Sequence, residues 1–307
     1  MMEAKKAKKI DKDLIFCLLG IALPLLQFII FYIVVNFNSF FLAFKSYDKL
    51  TGEYSWVQWS NFARVWSELT ESTLLRDALK YSVIVWFFTS LVGTVLAVVF
   101  SYYIYKKVFG GKVFKIILFL PSILPAILLS CIFRIFANES LPLYLNEWFG
   151  INGISEGLLI NQNTRFPTVI FYTVWISFGT QILLYSGSME QVDPSIIEAG
   201  KLDGASPLVE LWYLVIPEVL PAISTFLITG IAQLFVNQAN LYNFYGQTAL
   251  DSYRMNTVGY YMFYLINDTT AGISNYPYAS ALGLCCTFVA VPLTFIVRKL
   301  LNKMEEV

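Results

Sequence analysis

Side chains able to do chemistry are sparse in this sequence and fall into three groups. The first is a stretch of charged and small residues, Met189-Glu190-Gln191-Val192-Asp193-Pro194-Ser195-Ile196-Ile197-Glu198-Ala199-Gly200-Lys201-Leu202-Asp203-Gly204-Ala205, followed by an apolar approach to Ile216-Pro217. The second is a set of uncharged amides and phenols inside apolar runs: Gln181 and Tyr185, then Gln233, Asn237 and Asn240, with Tyr242 and Asn243 just beyond. At i, i+4 and i+7, Gln233, Asn237 and Asn240 would share one helical face. Neutral amides and phenols suit a hydroxyl-rich solute such as a sugar, and they equally suit hydrogen bonding between helices. The third is an acidic trio, Glu139, Glu147 and Glu156, which could in principle supply an acid–base pair; solvated loop charges explain it as well. The sequence contains no His, which removes His-ligated metals, His general bases and His pH switches together. Cys17, Cys131, Cys285 and Cys286 form no CxxC pair and read as apolar filler. No metal ligands and no catalytic residues are expected.

These groups need elements to position them, and composition says which kind. Of 307 residues, 57% are of the AVILMFWYC class and only 14% are charged, against about 25% charged in an ordinary soluble domain. A soluble surface could not be built from so little charge. The net charge of +0 gives no basic footprint for nucleic acid. The chain therefore reads as an all-α, polytopic membrane protein forming one domain over 1–307.

Runs long enough to cross about 30 Å of hydrocarbon as helices are expected at about 14–36, 81–105, 114–134, 166–188, 218–242 and 278–298, with a connection at 190–217. The first run follows Lys5, Lys6, Lys8, Lys9 and Lys12 but is too long for a signal-peptide core, so it reads as an uncleaved anchor. With the N-terminus inside, the inner connections hold 13 Lys and Arg and the outer ones 8, which predicts that both termini are cytoplasmic. Residues 45–80 mix charges with Trp56, Trp59 and Trp66, as expected of an amphipathic element at the interface. Residues 137–165, with Asn152-Gly153, read as a loop.

The cores of these spans lack Asp, Glu, Lys, Arg and His, whereas a proton-driven carrier usually keeps an ionisable group inside the membrane. No GxxxxGK[ST] loop is present, so the chain carries no ATPase of that type. A partner that supplies energy is the natural inference. The alternatives are an ion-coupled secondary carrier and a membrane-embedded enzyme built on the acidic trio.

The connection at 190–217 has a definite local reading. Asp193 is a good N-cap and Pro194 suits the first helical position. About two helical turns follow, and Gly204 is placed to end them in a left-handed conformation. Leu208, Leu211, Trp212 and Val215 recur at helical spacing toward Pro217. This stretch, Glu198-Ala199-Gly200-Lys201-Leu202-Asp203-Gly204-Ala205 and then Leu214-Val215-Ile216-Pro217, resembles the EAA signature of ABC importer permeases. Gly200 stands where that family has a second Ala, and Leu211 where an aromatic is frequent. Pro24 followed by Asn38-Ser39-Phe40 is similar to the start of the carbohydrate-uptake permeases. Lys112-Val113-Phe114-Lys115 ahead of Pro121 and Pro125 fits the same group, as does Tyr276-Pro277-Tyr278-Ala279-Ser280-Ala281 near the last helix. A T-x-G-G-P segment frequent in the family is replaced by Asn243-Phe244-Tyr245-Gly246-Gln247.

The resemblance implies a type I importer transmembrane domain whose short helix docks on a separate ATPase. Glu198 would be the charged contact, Asp203-Gly204 the turn, Ala199, Gly200 and Ala205 the close-packing surface, and Ile216-Pro217 the return to the membrane. It also implies a second permease subunit in a heterodimer, two cytoplasmic ATPases that hold ATP and Mg, and an extracytoplasmic solute-binding protein. This chain would bind no cofactor itself, would be multi-pass in a prokaryotic cytoplasmic membrane, and would import a sugar, oligosaccharide or polyol.

Overall fold

A computed structural model describes residues 12–150, 156–250, 254–268 and 272–305. Lys5, Lys6, Lys8, Lys9 and the Asn152-Gly153 pair lie outside the described residues. Among the described residues, six helical stretches are long and apolar enough to cross a membrane: Phe16–Leu42, Thr73–Tyr105, Ala126–Phe149, Arg165–Met189, Pro207–Ala232 and Gly272–Lys303. They are spans 1 to 6 below.

Spans 1, 2 and 6 run longer than expected, to Leu42, from Thr73 and over Gly272–Lys303, and the spans expected at 114–134 and 218–242 depart most. The apolar run around residue 120 is broken: one helix covers Gly111–Ile123, Leu124 is extended (ψ 144°), and a second helix starts at Ala126 after Pro125. Pro125 has no N–H, and its ring disfavours the helical conformation for Leu124. The second piece runs on to Phe149, so Arg134, Glu139 and Glu147 lie within helical structure and not in an outer loop. Glu156 lies beyond that helix, and the acidic trio does not share a loop. Span 5 begins ten residues before Pro217, at Pro207, and ends at Ala232. Residues 233–240 then form turns in which Ala239 and Asn240 have positive φ (50° and 56°). The downstream half of the expected connection is thus helix, and the expected upper third of the fifth helix is not.

Spans 2, 4 and 5 form one packed core, which includes Ala97, Val98, Ile182, Tyr185, Met189, Val215, Val219 and Ile223. Helix Gly111–Ile123 lies along span 4 at Gly179, where an added Cβ would stand 2.6 Å from the Leu118 carbonyl oxygen. At the opposite end, helix Ser60–Glu71 caps the bundle. Glu68 there accepts hydrogen bonds from Tyr261 (3.0 Å) and Tyr278, and pairs with Arg64, whose guanidinium lies 4.2 Å from the Tyr278 ring centre. Lys45–Tyr47 and Tyr54–Trp56 form an antiparallel hairpin beside that helix, a feature the mixed composition of 45–80 does not announce. Trp56, Trp59 and Trp66 are exposed there, as interfacial anchors would be. Span 1 meets span 6 through its Val35–Leu42 end, and its apolar window is not buried at any position.

Gly179 and Gly187 share span 4 but differ in surroundings, since a Cβ at Gly187 would meet nothing within 4 Å. Gly179→Ala must push a backbone away and is expected to lower stability by about 1–3 kcal/mol. Gly187→Ala should leave it unchanged or raise it by up to about 1 kcal/mol. Thermal unfolding of the two variants in detergent reads the difference, and equal melting temperatures would refute this close approach.

Candidate coupling site and solute path

The stretch between spans 4 and 5 folds as its residue types dictate. Asp193 is extended (φ −60°, ψ 122°) and its Oδ1 accepts the Ser195 amide at 2.9 Å, which caps a helix over Pro194–Leu202. The same hydrogen bond holds the Asp193 carboxyl below its ordinary pKa. At the other end Gly204 has φ +80°. The Ala205 amide donates to the Gly200 carbonyl (2.9 Å) and the Gly204 amide to that of Lys201 (3.1 Å). These are the two closing bonds of a Schellman motif. Ser206 then caps the next helix, with Pro207 in its first turn. Two short signals, Asp-Pro and Gly-x-Ser-Pro, thus define a rigid helical corner.

One side of the Pro194–Leu202 helix is anchored. Ile197 is buried with Met189, Val192, Leu211 and Val215, and with Ile104 at the end of span 2. The other side is free: Glu198, Ala199, Lys201, Asp203 and Gly204 are exposed, and Leu202 is 90% exposed. An isolated apolar side chain held out on a capped helix is poised for a partner surface. Gly200 and Ala205 are half-buried in the crook of the corner. Together with Gly204, Val209 and Leu214 they line a cleft of about 440 Å³.

The departure at Gly200 has a structural reason. A Cβ there would lie 2.4 Å from Cδ1 of Leu214, so the Leu214 side chain occupies the space an Ala would need. The apolar stripe downstream also differs from its helical reading. Leu211 and Val215 are buried, but Leu208 and Trp212 are 69% and 63% exposed. Glu210–Val215 is wound as a π-helical segment immediately before Ile216-Pro217. The wider turns rotate the buried face onto Glu210, Leu211 and Val215 and sit where a proline disturbs the regular hydrogen-bond ladder.

Glu210 is the residue that pattern reading missed. It is 3% exposed, and both its carboxylate oxygens accept from Lys106 Nζ at 2.9 Å. The Tyr102 hydroxyl reaches Glu210 Oε1 at 3.1 Å and the Pro207 carbonyl at 3.0 Å. The available signal was an acid inside an apolar helical run, facing a lysine-rich turn in the sequence. Burial of a lone carboxylate there would be strongly unfavourable, and removing one member of such a pair costs on the order of 3–5 kcal/mol.

The amides and phenols expected to share a solute path are not brought together. Gln181 is half-buried and Tyr185 is fully buried against Phe226, deep in the core of spans 2, 4 and 5. Gln233, Asn237 and Asn240 do not share a helical face, because the helix ends at Ala232. The chain needs turns there, and the amides build them. Asn237 Oδ1 accepts the Ala239 amide (2.8 Å), its carbonyl accepts the Thr257 hydroxyl (2.9 Å), and Asn240 Oδ1 accepts from Asn243 (3.2 Å). Tyr242 is exposed and packs on Phe263. The turn touches span 4 where Thr173 donates to the Ala239 carbonyl, twelve residues and hence about 18 Å from Tyr185 along the helix. A cavity of about 1030 Å³ lies between span 1, the turn after span 5 and span 6, and none of the expected solute residues lines it.

The crook of the corner yields a measurable coupling. Gly200→Ala gains up to about 1 kcal/mol of helix propensity but must displace Leu214. In a Leu214→Ala background the gain should appear in full, and with Leu214 present it should shrink or reverse. The resulting interaction term is expected to exceed about 0.5 kcal/mol in a double-mutant cycle of thermal stability; strict additivity would show that the two residues do not compete for space.

Comparison with known proteins places this geometry. The family model described as "Binding-protein-dependent transport system inner membrane component" matches residues 90–305. The chain is 23% identical over 284 residues to the multiple sugar-binding transport system permease protein MsmF of Streptococcus mutans, covering 92% of this chain and 94% of that one. It is 22% identical over 277 residues to the arabinooligosaccharides transport system permease protein AraP of Bacillus subtilis, covering 90% and 85%. Its fold matches a chain in the crystal structure of a bacterial ABC transporter involved in the import of the acidic polysaccharide alginate. The TM-score there is 0.75 at 17% identity, over 95% of this chain and 96% of that one. The match spans the anchored helix, its Gly204 turn and spans 3 to 6, and the chain belongs to the binding-protein-dependent transport family of inner-membrane components, the non-catalytic permease subunits of ABC importers.

Proposed function

We propose that the Pro194–Leu202 helix is the element through which a separate ATPase drives this permease. The chain is a transmembrane permease subunit of an ABC-type sugar or oligosaccharide importer in the bacterial cytoplasmic membrane. The observation that carries the mechanism is the two-sidedness of this helix: Ile197 is buried in the bundle while Glu198, Ala199 and Leu202 project from it. A helix capped at both ends transmits displacement without unwinding, so a force on the exposed side reaches spans 4 and 5 directly. Glu198 supplies the charged contact to the ATPase, and Ala199 and Leu202 the apolar one. Gly204 and Ala205 hold the corner, and Ile216-Pro217 lead into the membrane.

The remaining parts follow from this assignment. The helix and both termini face the cytoplasm, where two ATPases bind ATP and Mg. A second, homologous permease completes the path as a heterodimer, and an extracytoplasmic binding protein delivers a sugar, oligosaccharide or polyol. The solute meets Asn240, Tyr242 and Asn243 on the turn beyond span 5. Gln233 and Asn237 shape that turn, while Gln181 and Tyr185 lie on span 4, Tyr185 packed in the core of spans 2, 4 and 5. The relatives named for multiple sugars and arabinooligosaccharides support that solute class.

Reconstituted complexes test the coupling. Glu198→Lys and Gly204→Val should assemble yet lose at least about tenfold of ATP-dependent sugar uptake, the Gly204 change because φ +80° excludes a β-branched residue. Uptake in the parent complex should ignore ionophores and stop without ATP. Full uptake by both variants in an assembled complex would sink the assignment.

A further inference from the structure

Span 2 is not covalently joined to the coupling helix, yet it is tied to it more specifically than packing requires. Its helix ends at Tyr105, and Lys106 and Tyr102 lie one turn apart at that end. Lys106 Nζ donates to both oxygens of Glu210 at 2.9 Å, and the single Tyr102 hydroxyl proton is shared between Glu210 Oε1 (3.1 Å) and the Pro207 carbonyl (3.0 Å). All of these bonds end on the first turn of span 5, three to six residues beyond Gly204. The Lys106 side chain is 28% exposed and that of Glu210 only 4%, so the pair sits at the edge of the apolar core made by Ile104, Ile197, Leu211 and Val215.

Apolar packing such as that of the cluster holding Ile104 and Ile197 is non-directional, and it tolerates sliding. A carboxylate held by an ammonium and a phenol is directional, and either displacement or rotation breaks it. Stability alone does not account for the arrangement, because a well-packed apolar pair serves as well as a buried ion pair or better. We propose that Glu210, Lys106 and Tyr102 form the strut that compels span 2 to move with the coupling helix, making them positioning residues of the transport cycle. This rests on the coupling role of the Pro194–Leu202 helix given above.

The test uses the complete transporter with its ATPases, in which the native cysteines are replaced and spin labels report two distances to Phe288 on span 6. One label at Ser195 follows the coupling helix, and one at Val99 follows span 2. Both distances should shift when ATP and vanadate are added to the parent complex. In Lys106→Met/Glu210→Leu, which leaves no charge unpaired, the Ser195 shift should persist and the Val99 shift should fall at least about fivefold. The exchanged pair Lys106→Glu/Glu210→Lys should recover it. Tyr102→Phe, which keeps the ion pair, should reduce the Val99 shift in the same direction and carries the test if the apolar pair does not assemble. A Val99 shift of parental size in either variant overturns the strut. Absence of the Ser195 shift in the parent complex would instead overturn the coupling role on which it rests.

Discussion

The corner between the Pro194–Leu202 helix and span 5 rests on one backbone conformation. Gly204 takes φ +80°, a region that a side chain makes costly and glycine enters freely. That single residue lets the Gly200 and Lys201 carbonyls be closed by the amides of Ala205 and Gly204, and it turns the chain so that Leu214 fills the space left bare at Gly200. Were the turn looser, Ile197 would leave its apolar seat and the exposed side of the helix would lose its fixed bearing. In the coupling role proposed above, the stiffness of a short cap-to-cap helix is what makes it usable as a lever.

Energy enters such a molecule from outside, and the packing reflects this. Spans 2, 4 and 5 share one tight core that continues without interruption to Ile197. The far end is closed differently. Glu68 draws Tyr261 and Tyr278 onto helix Ser60–Glu71 through hydrogen bonds, which add directional contacts to an apolar layer that includes Val65, Leu265, Ala279 and Leu282. Span 1, exposed along its length, contributes little to this core.

The membrane character, the number of spans and the helical corner from Asp193 to Ala205 were all legible in the sequence. Hydropathy over 20 residues is a summed quantity that tolerates local error, and Asp193-Pro194 and Gly204 are caps whose effect is confined to a turn or two. Boundaries at Pro125 and Ala232 were not legible in the same way. An apolar run does not reveal whether its backbone continues as helix, and uncharged residues beyond Ala232 prolong the run although the chain has begun to turn. The spacing of Gln233, Asn237 and Asn240 had meaning only on a helix that stops before it reaches them.

By itself the sequence determined the kind of molecule: its charge-poor apolar runs can be satisfied only in lipid, and the order of small, charged and capping residues from Asp193 to Ala205 specifies one short, closed helix. Tertiary structure alone decided which face of that helix is anchored, why Leu214 leaves no room for a Cβ at position 200, and that Glu210 meets Lys106 and Tyr102 from a span more than 100 residues earlier in the chain. Caps and hydropathy act between residues close in sequence and can be read there. An ion pair between two helices depends on their register and rotation, and here π-helical turns before Pro217 set that rotation, which no linear pattern records.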